Sequence, residues 1–594
     1  MKKVLFNELY YQIIWFLVGI VLLVDVSCAS FNPSSYKSIE DCVGATGVSV
    51  ISKNDPGYND ARVGERVRFQ QYPRMITYPT NTTQVQQLVL CSNTFKITPS
   101  PRNGGHSNTG TSSLNDSLVI DISNLNSVDI DTVSQTAIVG GGIRLGPLYI
   151  QLAQKNFTFI SGICPTTGLT GVISSGGFGL QSRKYGTTGD LVLGAQIVMA
   201  DGSILITNSI INADLFWAIR GGGATYGIIT QWKLQLIPAW QTVSVFTIEY
   251  PYDPNLFSSV LKSFTNFGHI APDDLSTTLF ITNTNFKIVG HYLGNDDQIY
   301  EKLSNASLLT YNGSPIKGCD RESIEQNFLL RCDHLGARAY FLDPNKTCTR
   351  YDYLNIGTSP YASNSFTYTI QNVTYPPAAT APGVVTQGIL SVYPPGPLQA
   401  REDVKTKSMY FDGPFNDTAI NVIIGLLKQM PSGSFAELLS YGGLLPTQST
   451  NLTAFFHRNV AYHLLIQAPS TSDPTTNAWI NQWDSNVRPF SNGQSYQGFE
   501  DPDLPNFPQQ YFGNNLQRLQ NIKSKYDPQQ LFSSKSTLNT TPSNQQTSSL
   551  FGQCPFVHDE AVPARRSSGN KMFNLIIWDK IMFNLWVIAI FLIW

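Results

Sequence analysis

The sequence predicts an α+β protein with two domains and a separate helical segment near its C-terminus. At 594 residues the chain is too long for one ordinary hydrophobic core. From about residue 66 to 240, short β-branched runs alternate with glycine-rich turns. From about 240 to 495, glycine clusters are fewer, Tyr, Phe and Trp are frequent, and no phosphate-loop pattern occurs. This change in composition predicts two successive α+β domains.

Individual elements of the first domain and of the C-terminal segment follow from residue periodicity. Leu148, Leu152 and Ala153 share one side of a helix, and Asp201-Gly202 suits a hairpin turn that needs positive φ. Asp527-Pro528 ends the last periodic stretch. The sequence therefore predicts strands at 118–122, 137–139 and 228–236, helices at 145–156, 214–219 and 511–526, and a hairpin over 191–207.

The charge balance excludes one class of partner. Charged residues make up 13% of the chain, about half the usual share, and Lys plus Arg (39) nearly cancels Asp plus Glu (41). A near-neutral chain without a basic stripe has no electrostatic basis for binding nucleic acid. No metal site is predicted either.

The N-terminus is typical of a secretory signal over residues 1–29. Lys2 and Lys3 form a positive start, Ile13 to Val24 is mostly apolar, and Ser27-Cys28-Ala29 fits the pattern that signal peptidase accepts. The alternative is an uncleaved anchor, although the apolar run is shorter than the roughly 20 residues of a membrane span. Ten Asn-x-Ser/Thr sequons favour the same compartment, at Asn81, Asn115, Asn156, Asn305, Asn312, Asn345, Asn372, Asn416, Asn451 and Asn539.

The cysteine count points to one cysteine with a separate role. Loss of Cys28 with the signal leaves seven of the eight cysteines. If Cys164 is committed elsewhere, six remain, enough for three disulfides in an oxidising compartment. The sequence does not choose among the 15 pairings that six cysteines allow.

Three glycine-rich loops carry the candidate chemistry. The first, Pro101 to Ser107, closes on His106 and can form a nest of backbone N–H groups for a pyrophosphate, although a surface turn is the alternative. The second, Gly162 to Gly179, contains Cys164 in a position that is unusual for a core residue, and a structural disulfide is the alternative. The third runs from Asn212 through Gly221-Gly222-Gly223 to Thr230. None of the three has the G-x-G-x-x-G spacing of a Rossmann site.

The order of these loops resembles the berberine-bridge-enzyme-like flavoproteins, FAD-linked oxidoreductases of the vanillyl-alcohol-oxidase, or PCMH-type, fold. The resemblance covers roughly residues 66 to 240 and resumes from Tyr511 to Pro528. It implies a PCMH-type FAD-binding domain of two subdomains at 66–240, a substrate domain at 241–495, and a C-terminal segment at 496–535 that returns to the FAD domain. Residues 536–571 are then expected to be a disordered linker.

The resemblance also implies the site residues. His106 and Cys164 would bond covalently to the 8α-methyl group and the sixth carbon of the flavin, which also accounts for the odd cysteine. Cys42 and Cys91 would pair, and the small Thr167 would let oxygen reach the flavin. The remaining residues implied to contact FAD are Arg102, Asn103, Gly104, Gly105, Ser107, Gly168, Gly171, Ser174, Gly176, Gly177, Gly179, Gly227 and Ile228.

The chain departs from the family pattern in ways that bear on the substrate. Asn108 and Val172 replace a Tyr and a His, and Leu444 to Thr450 lacks the acid expected there in alkaloid-oxidising members. The resemblance to sugar- and alcohol-oxidising members instead indicates Tyr496 as base, which requires a lowered phenol pKa. The segment Arg183-Lys184-Tyr185 could supply positive charge near the reduced flavin.

The function expected from this reading is hydride transfer from a hydroxyl-bearing C–H of a sugar or alcohol to FAD, with oxygen as acceptor. The alternatives are a dehydrogenase with another acceptor and a non-catalytic surface glycoprotein of the same fold. The tail at 572–594 suggests a lipid anchor at the cell surface, because Ser567-Ser568-Gly569, a spacer and the uncharged Ile581 to Trp594 match a GPI signal. A short proteinaceous tail anchor is the alternative.

Overall fold

The computed structural model describes residues 31–66, 68–164, 166–240, 244–251, 253–294, 368–370, 373–375, 404–469, 473–533 and 538. From Asn32 onward these residues belong to one compact unit. The predicted signal, linker and tail, five of the sequons, and Cys319, Cys332, Cys348 and Cys554 lie outside the described residues. Within the described ranges, every helix is too short or too polar to cross a bilayer.

The first sheet lies in the N-terminal part of the chain. Its elements are α1 (Ile39–Ala45), β1 (Ser49–Ser52), α2 (Tyr58–Ala61), β2 (Met75–Tyr78), α3 (Thr82–Phe95), β3 (Pro99–Arg102) and β4 (Leu118–Asp121). The strands run in the order β1-β2-β4-β3, and β4 pairs in parallel with both β2 and β3. A disulfide between the buried Cys42 and Cys91 joins α1 to α3, which confirms the predicted pairing.

A second sheet of five strands completes the glycine-rich region. Its elements are β5 (Val128–Asp131), β6 (Thr136–Gly140), α4 (Leu145–Ala153), β7 (Phe157–Thr158), α5 (Leu169–Ser174), α6 (Ser182–Tyr185), β8 (Val192–Val198), β9 (Ile204–Asn208), α7 (Ala213–Ala218), β10 (Ile228–Gln235) and β11 (Ile237–Pro238). The order is β5-β6-β10-β8-β9, and β7 pairs with β11 in a separate ribbon. The predicted hairpin is confirmed, with Gly202 at φ +82° in its turn. Helix α4 ends three residues earlier than predicted, and Asn156 adopts the left-handed conformation at φ +60°.

The third sheet has six antiparallel strands in the order β12-β14-β13-β18-β19-β17. Its elements are β12 (Ser244–Pro251), α8 (Pro254–Phe267), β13 (Leu275–Ile281), β14 (Asn285–Tyr292), β17 (Val404–Phe411), α9 (Asp417–Leu427), β18 (Phe435–Ser440), β19 (Tyr462–Pro469) and α10 (Pro474–Asn486), with a small ribbon of β15 (Tyr368–Ile370) and β16 (Val373–Tyr375) apart from it. Side chains of a strand alternate between faces. Residues such as Leu279, Leu438 and Leu464 on one face share a core with Phe264 and Trp483 of the helices. The side chains on the opposite face of the six-stranded sheet are therefore available to line a binding site.

The C-terminal segment returns to the first domain, as the resemblance implied. The helix predicted at 511–526 is instead two helices, α11 (Phe507–Phe512) and α12 (Leu516–Tyr526), because Gly513 adopts φ +48° and a 3-10 turn at 513–515 separates them. A further 3-10 turn lies at 497–499. Leu519 and Ile522 of α12 share a hydrophobic core with Trp217 and Trp232 of the glycine-rich region. In the 497–499 turn, the Gln497 side chain donates to the carbonyl of Gly221 in the glycine-rich region.

Candidate active site

The first two glycine loops are in direct contact. A Cβ added to Gly104 would lie 2.3 Å from the backbone nitrogen of Gly168, and one added to Gly168 would lie 1.4 Å from Asn103 Oδ1. Asn103 in turn donates through Nδ2 to the carbonyl of Gly141 at 3.1 Å. These glycines therefore serve loop-to-loop packing, which brings the His106 loop and the Cys164 loop onto one wall.

His106 is held by groups from two other segments. Its Nδ1 lies 2.7 Å from the Glu65 carboxylate, and its Nε2 lies 3.0 Å from the Thr166 hydroxyl. The Thr167 hydroxyl lies 3.4 Å from Nδ1. Sequence reasoning identified the histidine and missed Glu65, because nothing in the sequence indicates that the segment before β2 lies beside this loop.

Cys164 is half-buried and lines the same cavity as His106. The carbonyl of Cys164 accepts a hydrogen bond from the backbone N–H of Thr167 at 3.1 Å, which makes a tight turn in the loop. Thr167 also accepts from Leu145 N, at the start of α4. The turn thus places the Thr167 hydroxyl beside the imidazole of His106.

The third loop packs under the C-terminal helix. A Cβ at Gly222 would meet Leu519 of α12 at 2.4 Å, and one at Gly221, whose φ is +104°, would meet the backbone of Phe455 at 2.5 Å. Gly227 and Ile228, at the start of β10, line the cavity. The glycines at 221 and 222 are explained by close packing, whereas the loop end at 227–228 faces the cavity.

A single cavity of about 590 Å³ collects nearly all the predicted site residues. That volume falls in the range of small-molecule and cofactor sites. The predicted residues that line it are His106, Cys164, Arg102, Asn103, Gly104, Gly105, Ser107, Gly168, Gly171, Ser174, Gly179, Gly227, Ile228 and Tyr496. Gly176 and Gly177 do not line it, since a Cβ at these positions would meet Phe455 and Thr188 instead.

Arg102 and Arg183 are both held by contacts within the protein. Arg102 lines the cavity, and its Nε bonds to Asp121 at 2.6 Å and its Nη1 to the carbonyl of Ala61 at 2.7 Å. The charge of Arg102 is therefore paired with that of Asp121 at the edge of the cavity. Arg183 is fully buried outside the cavity lining and donates to the carbonyls of Tyr441 and Ala271, which join the two domains.

The rest of the Arg183-Lys184-Tyr185 segment is also directed away from the cavity. Lys184 lies over the ring of Trp240, whose indole N–H donates to the Tyr185 hydroxyl at 2.8 Å. None of the three residues lines the cavity. The interpretation that this segment supplies positive charge to a flavin is therefore wrong, because its side chains are used at the domain boundary.

The opposite wall is the second face of the six-stranded sheet, which sequence reasoning did not predict. Glu437 of β18, Thr278 of β13, and His463 and Gln467 of β19 line it. Glu437 alternates with the buried Ala436 and Leu438, and that alternation is the sequence signal that could have indicated it. The absence of acids from 444–450 therefore does not leave the cavity without a carboxylate in this region.

Tyr496 lies at the cavity among aromatic rings. Its ring makes edge contacts with Phe455, Phe499 and His463 at centroid distances of 6.3, 5.5 and 5.9 Å. Burial raises the pKa of Tyr496, and only the backbone N–H of Gly177 acts in the opposite direction. The lowered pKa that a tyrosine base requires is therefore not found.

The segment that carries Tyr496 is anchored at both ends. The backbone N–H of Tyr496 donates to Ser408 Oγ at 2.9 Å, and Ser408 Oγ also lies 2.8 Å from Nε2 of His463. Burial lowers the pKa of His463 to about 3, so this imidazole is neutral near pH 7. Further along, the buried Asp501 pairs with Lys407 at 2.6 Å. Between these anchors Glu500 accepts from Ser107 at 2.9 Å, which ties the segment to the His106 loop.

Three features of the cavity lining suit a flavin nucleotide. Gly171 lines the cavity, and a Cβ there would meet no atom within 4 Å, so the space beside α5 is open to a ligand. Thr225 Oγ1 is buried at the lining and has no hydrogen-bond partner within the described ranges. Gly105 and Gly223 also line the cavity, and the lack of side chains there allows close approach of a planar or phosphate-bearing group.

Comparisons with known proteins agree with this site. A model described as "FAD binding domain" matches residues 73–208, and one described as "Berberine and berberine like" matches residues 495–537. The FAD-linked oxidoreductase pynB of Aspergillus niger is 30% identical over 533 residues, covering 86% of this chain and 94% of the relative.

Two solved structures share the fold. The wild-type BBE-like 1 of Physcomitrella patens superposes with a TM-score of 0.71 at 26% identity, covering 85% of this chain and all of that one. A glucooligosaccharide oxidase of Acremonium strictum, described as carrying 6-S-cysteinyl, 8α-N1-histidyl FAD, superposes with a TM-score of 0.70 at 19% identity, covering 85% of this chain and all of that one. With the glycine-walled cavity, these similarities show that the chain belongs to the berberine-bridge-enzyme-like, FAD-linked oxidoreductases of the PCMH-type fold.

Proposed function

We propose that the protein is a secreted oxidase that binds FAD covalently through His106 and Cys164 and oxidises a sugar or alcohol. The observation that carries the proposal is that both residues line one wall of a single cavity whose opposite wall is a polar sheet face. Bound FAD would accept a hydride from a hydroxyl-bearing C–H of the substrate. Two solved structures with this fold are a chitooligosaccharide oxidase and a glucooligosaccharide oxidase, and they motivate the choice of a sugar as substrate.

The proton of the substrate hydroxyl requires an acceptor, and we assign that role to Glu437, which lines the cavity. A carboxylate can accept a hydrogen bond from the hydroxyl and take up its proton. Tyr496, whose pKa burial raises, stays protonated and can donate a hydrogen bond to a substrate oxygen. In this assignment Glu437 takes the proton and Tyr496 orients the oxygen, which revises the role of base expected for Tyr496.

The sheet face supports a polyhydroxylated ligand. Thr278, Gln467 and Glu437 offer hydrogen-bonding groups, and the rings of Phe280 and Phe499 lie on the same lining. Polar groups in one plane with aromatic faces beside them suit a sugar ring, which presents hydroxyls at its edge and C–H groups on its faces. The space between this face and the glycine loops would then hold the reacting C–H.

Oxygen is proposed as the electron acceptor because the residue beside His106 in the cavity lining is small. Thr167 lines the cavity, and its hydroxyl lies 3.4 Å from His106 Nδ1. A threonine leaves more space at this position than leucine or isoleucine would. Reduced flavin that persists for many minutes in air would support the dehydrogenase alternative instead.

Three observations support a secreted glycoprotein. The Cys42–Cys91 disulfide is typical of an oxidising compartment. The sequon asparagines within the described ranges are all exposed, namely Asn81, Asn115, Asn156, Asn416 and Asn451. With the signal-like N-terminus these features favour export, and the tail beyond Ser567 is proposed to direct a lipid anchor. Release of active protein from intact cells by a phosphatidylinositol-specific phospholipase tests the anchor, and recovery of a C-terminal peptide ending in Trp594 would contradict it.

The experiment for the proposed function measures colour and turnover in the same preparations. Wild type, His106→Ala, Cys164→Ala and the double variant are precipitated with acid, and retained flavin is measured by absorbance. The two single variants should stay yellow and the double variant should not. A panel of sugars and alcohols is then screened for anaerobic bleaching and for hydrogen peroxide release. Peptide mass spectra with unmodified His106 and Cys164 would refute the covalent attachment. No bleaching by any compound of the panel would refute the proposed oxidation of a sugar or alcohol.

A further inference from the structure

Glu65 is the charged group in closest contact with His106, and neither the family pattern nor the proposed reaction uses it. Its carboxylate lies 2.7 Å from Nδ1, and its side chain is only 9% exposed against 19% for the imidazole. A largely buried carboxylate in contact with a histidine sets which ring nitrogen carries the proton. The contact is therefore relevant to any bond that this imidazole forms.

The backbone holds Glu65 at this place. The N–H of Glu65 donates to the carbonyl of Gly105 at 3.0 Å, and a Cβ at Gly64 would lie 2.8 Å from that same oxygen. On the other side, Arg66 Nε donates to Asn108 Oδ1 at 2.8 Å. Three consecutive residues are thus bound along the His106 loop, so the carboxylate is positioned by the fold and not by a chance rotamer.

The position of the proton on the His106 imidazole follows from the two groups that contact it, Glu65 and Thr166. If Glu65 is ionised it can only accept, so in a neutral ring Nδ1 carries the proton that faces Glu65. Nε2 then holds the lone pair and accepts from the Thr166 hydroxyl. Whichever nitrogen forms a bond to carbon, the neutral ring must release this one proton, and Glu65 is the acceptor already in contact with it.

We infer that Glu65 accepts the imidazole proton when His106 bonds to the flavin, so that it is the base for covalent attachment. The inference rests on the proposed histidyl bond. Attachment replaces one hydrogen of the 8α-methyl group with the imidazole nitrogen. The methyl proton would pass to solvent and the imidazole proton to Glu65, and two electrons would remain on the flavin. Molecular oxygen then removes those two electrons and the two protons as hydrogen peroxide.

The test uses the Cys164→Ala background, where His106 is the only attachment point. Purified full-length protein is assayed for total FAD and for FAD retained after acid precipitation. Cys164→Ala should retain its flavin. Glu65→Gln in that background should bind FAD but release it in acid, and attachment during incubation should be slower by about 10²-fold, as expected for loss of a general base. The slow rate should rise about tenfold per pH unit as hydroxide replaces the carboxylate, a dependence that mere misplacement of the loop would not produce.

Two further variants give the controls. Glu65→Asp keeps a carboxylate with one methylene less and should restore a faster, pH-independent attachment. Glu500→Gln removes a cavity carboxylate that contacts Ser107 of the same loop, and its attachment rate measures the effect of a general disturbance of that loop. If Glu65→Gln does not accumulate, Glu65→Ala takes its place, and attachment at the parent's rate in that protein would contradict the inference.

The outcomes separate this inference from the function on which it depends. Release of FAD by acid from the Cys164→Ala protein itself would overturn the proposed histidyl bond and the role of Glu65 with it. Full retention by both Cys164→Ala and its Glu65→Gln derivative, at equal rates, would overturn the role of Glu65 alone. Equal losses in the Glu65→Gln and Glu500→Gln proteins would indicate a general effect on the loop and would also overturn it.

Discussion

Gly168 and Gly171 lie three residues apart on the same segment, and the structure assigns them opposite responses to an added methyl group. In Gly168→Ala the new Cβ would lie 1.4 Å from Asn103 Oδ1 and 2.5 Å from Gly104 N, so the two loops must separate. Such overpacking costs about 1–3 kcal/mol or more in the free energy of unfolding. In Gly171→Ala the new Cβ meets no protein atom within 4 Å, and the position lies within α5. Replacing a helical glycine with alanine stabilises by about 0.5–1 kcal/mol.

The assay pairs urea unfolding with the FAD content of each purified protein. Gly168→Ala should lose both stability and flavin. Gly171→Ala should unfold at an equal or higher urea concentration while binding less FAD, because its methyl group occupies space that we assign to the flavin. Gly171→Val should deepen the loss of flavin. Full FAD content in both Gly171 variants would refute the placement of the cofactor beside α5. A marked loss of stability in Gly171→Ala would refute the claim that the space around position 171 is free of protein atoms.

Three further predictions follow from single side chains. Thr167→Leu should slow reoxidation of reduced flavin in stopped-flow measurements and leave anaerobic reduction unchanged; equal slowing of both steps would contradict the gating role. Glu437→Gln should lower the rate of flavin reduction by about 10²-fold or more, with Tyr496→Phe losing less, and the reverse order would restore Tyr496 as the base. Burial lowers the pKa of His457 to about 4. The contribution of neutral His457 to the free energy of unfolding is therefore complete above its usual pKa near 6.5 and decreases as pH falls towards 4, by up to roughly 3 kcal/mol. Urea unfolding of wild type and His457→Asn across that pH range should show a smaller pH dependence in the variant.

The local patterns of the sequence predicted much of the first domain correctly. The hairpin at Asp201-Gly202, the strand beginning at Ile228 and the end of the last helix at Asp527 all depend on interactions between neighbouring residues. Such signals are present in the sequence because the responsible residues are adjacent in it. The errors at the end of α4 reflect the weak definition of helix ends by local propensity.

The sequence by itself also determined that His106 and Cys164 lie in glycine-rich loops of a flavoprotein pattern, since that pattern is a matter of residue type and order. The tertiary structure alone decided what surrounds them. Glu65 reaches His106 because backbone hydrogen bonds place its segment along the loop, and Glu437 faces the cavity because the helices cover the other face of its sheet. Arg183 is a domain contact because carbonyls of distant residues, Tyr441 and Ala271, converge on it. These assignments depend on contacts between residues far apart in the chain, which neither periodicity nor local composition can encode.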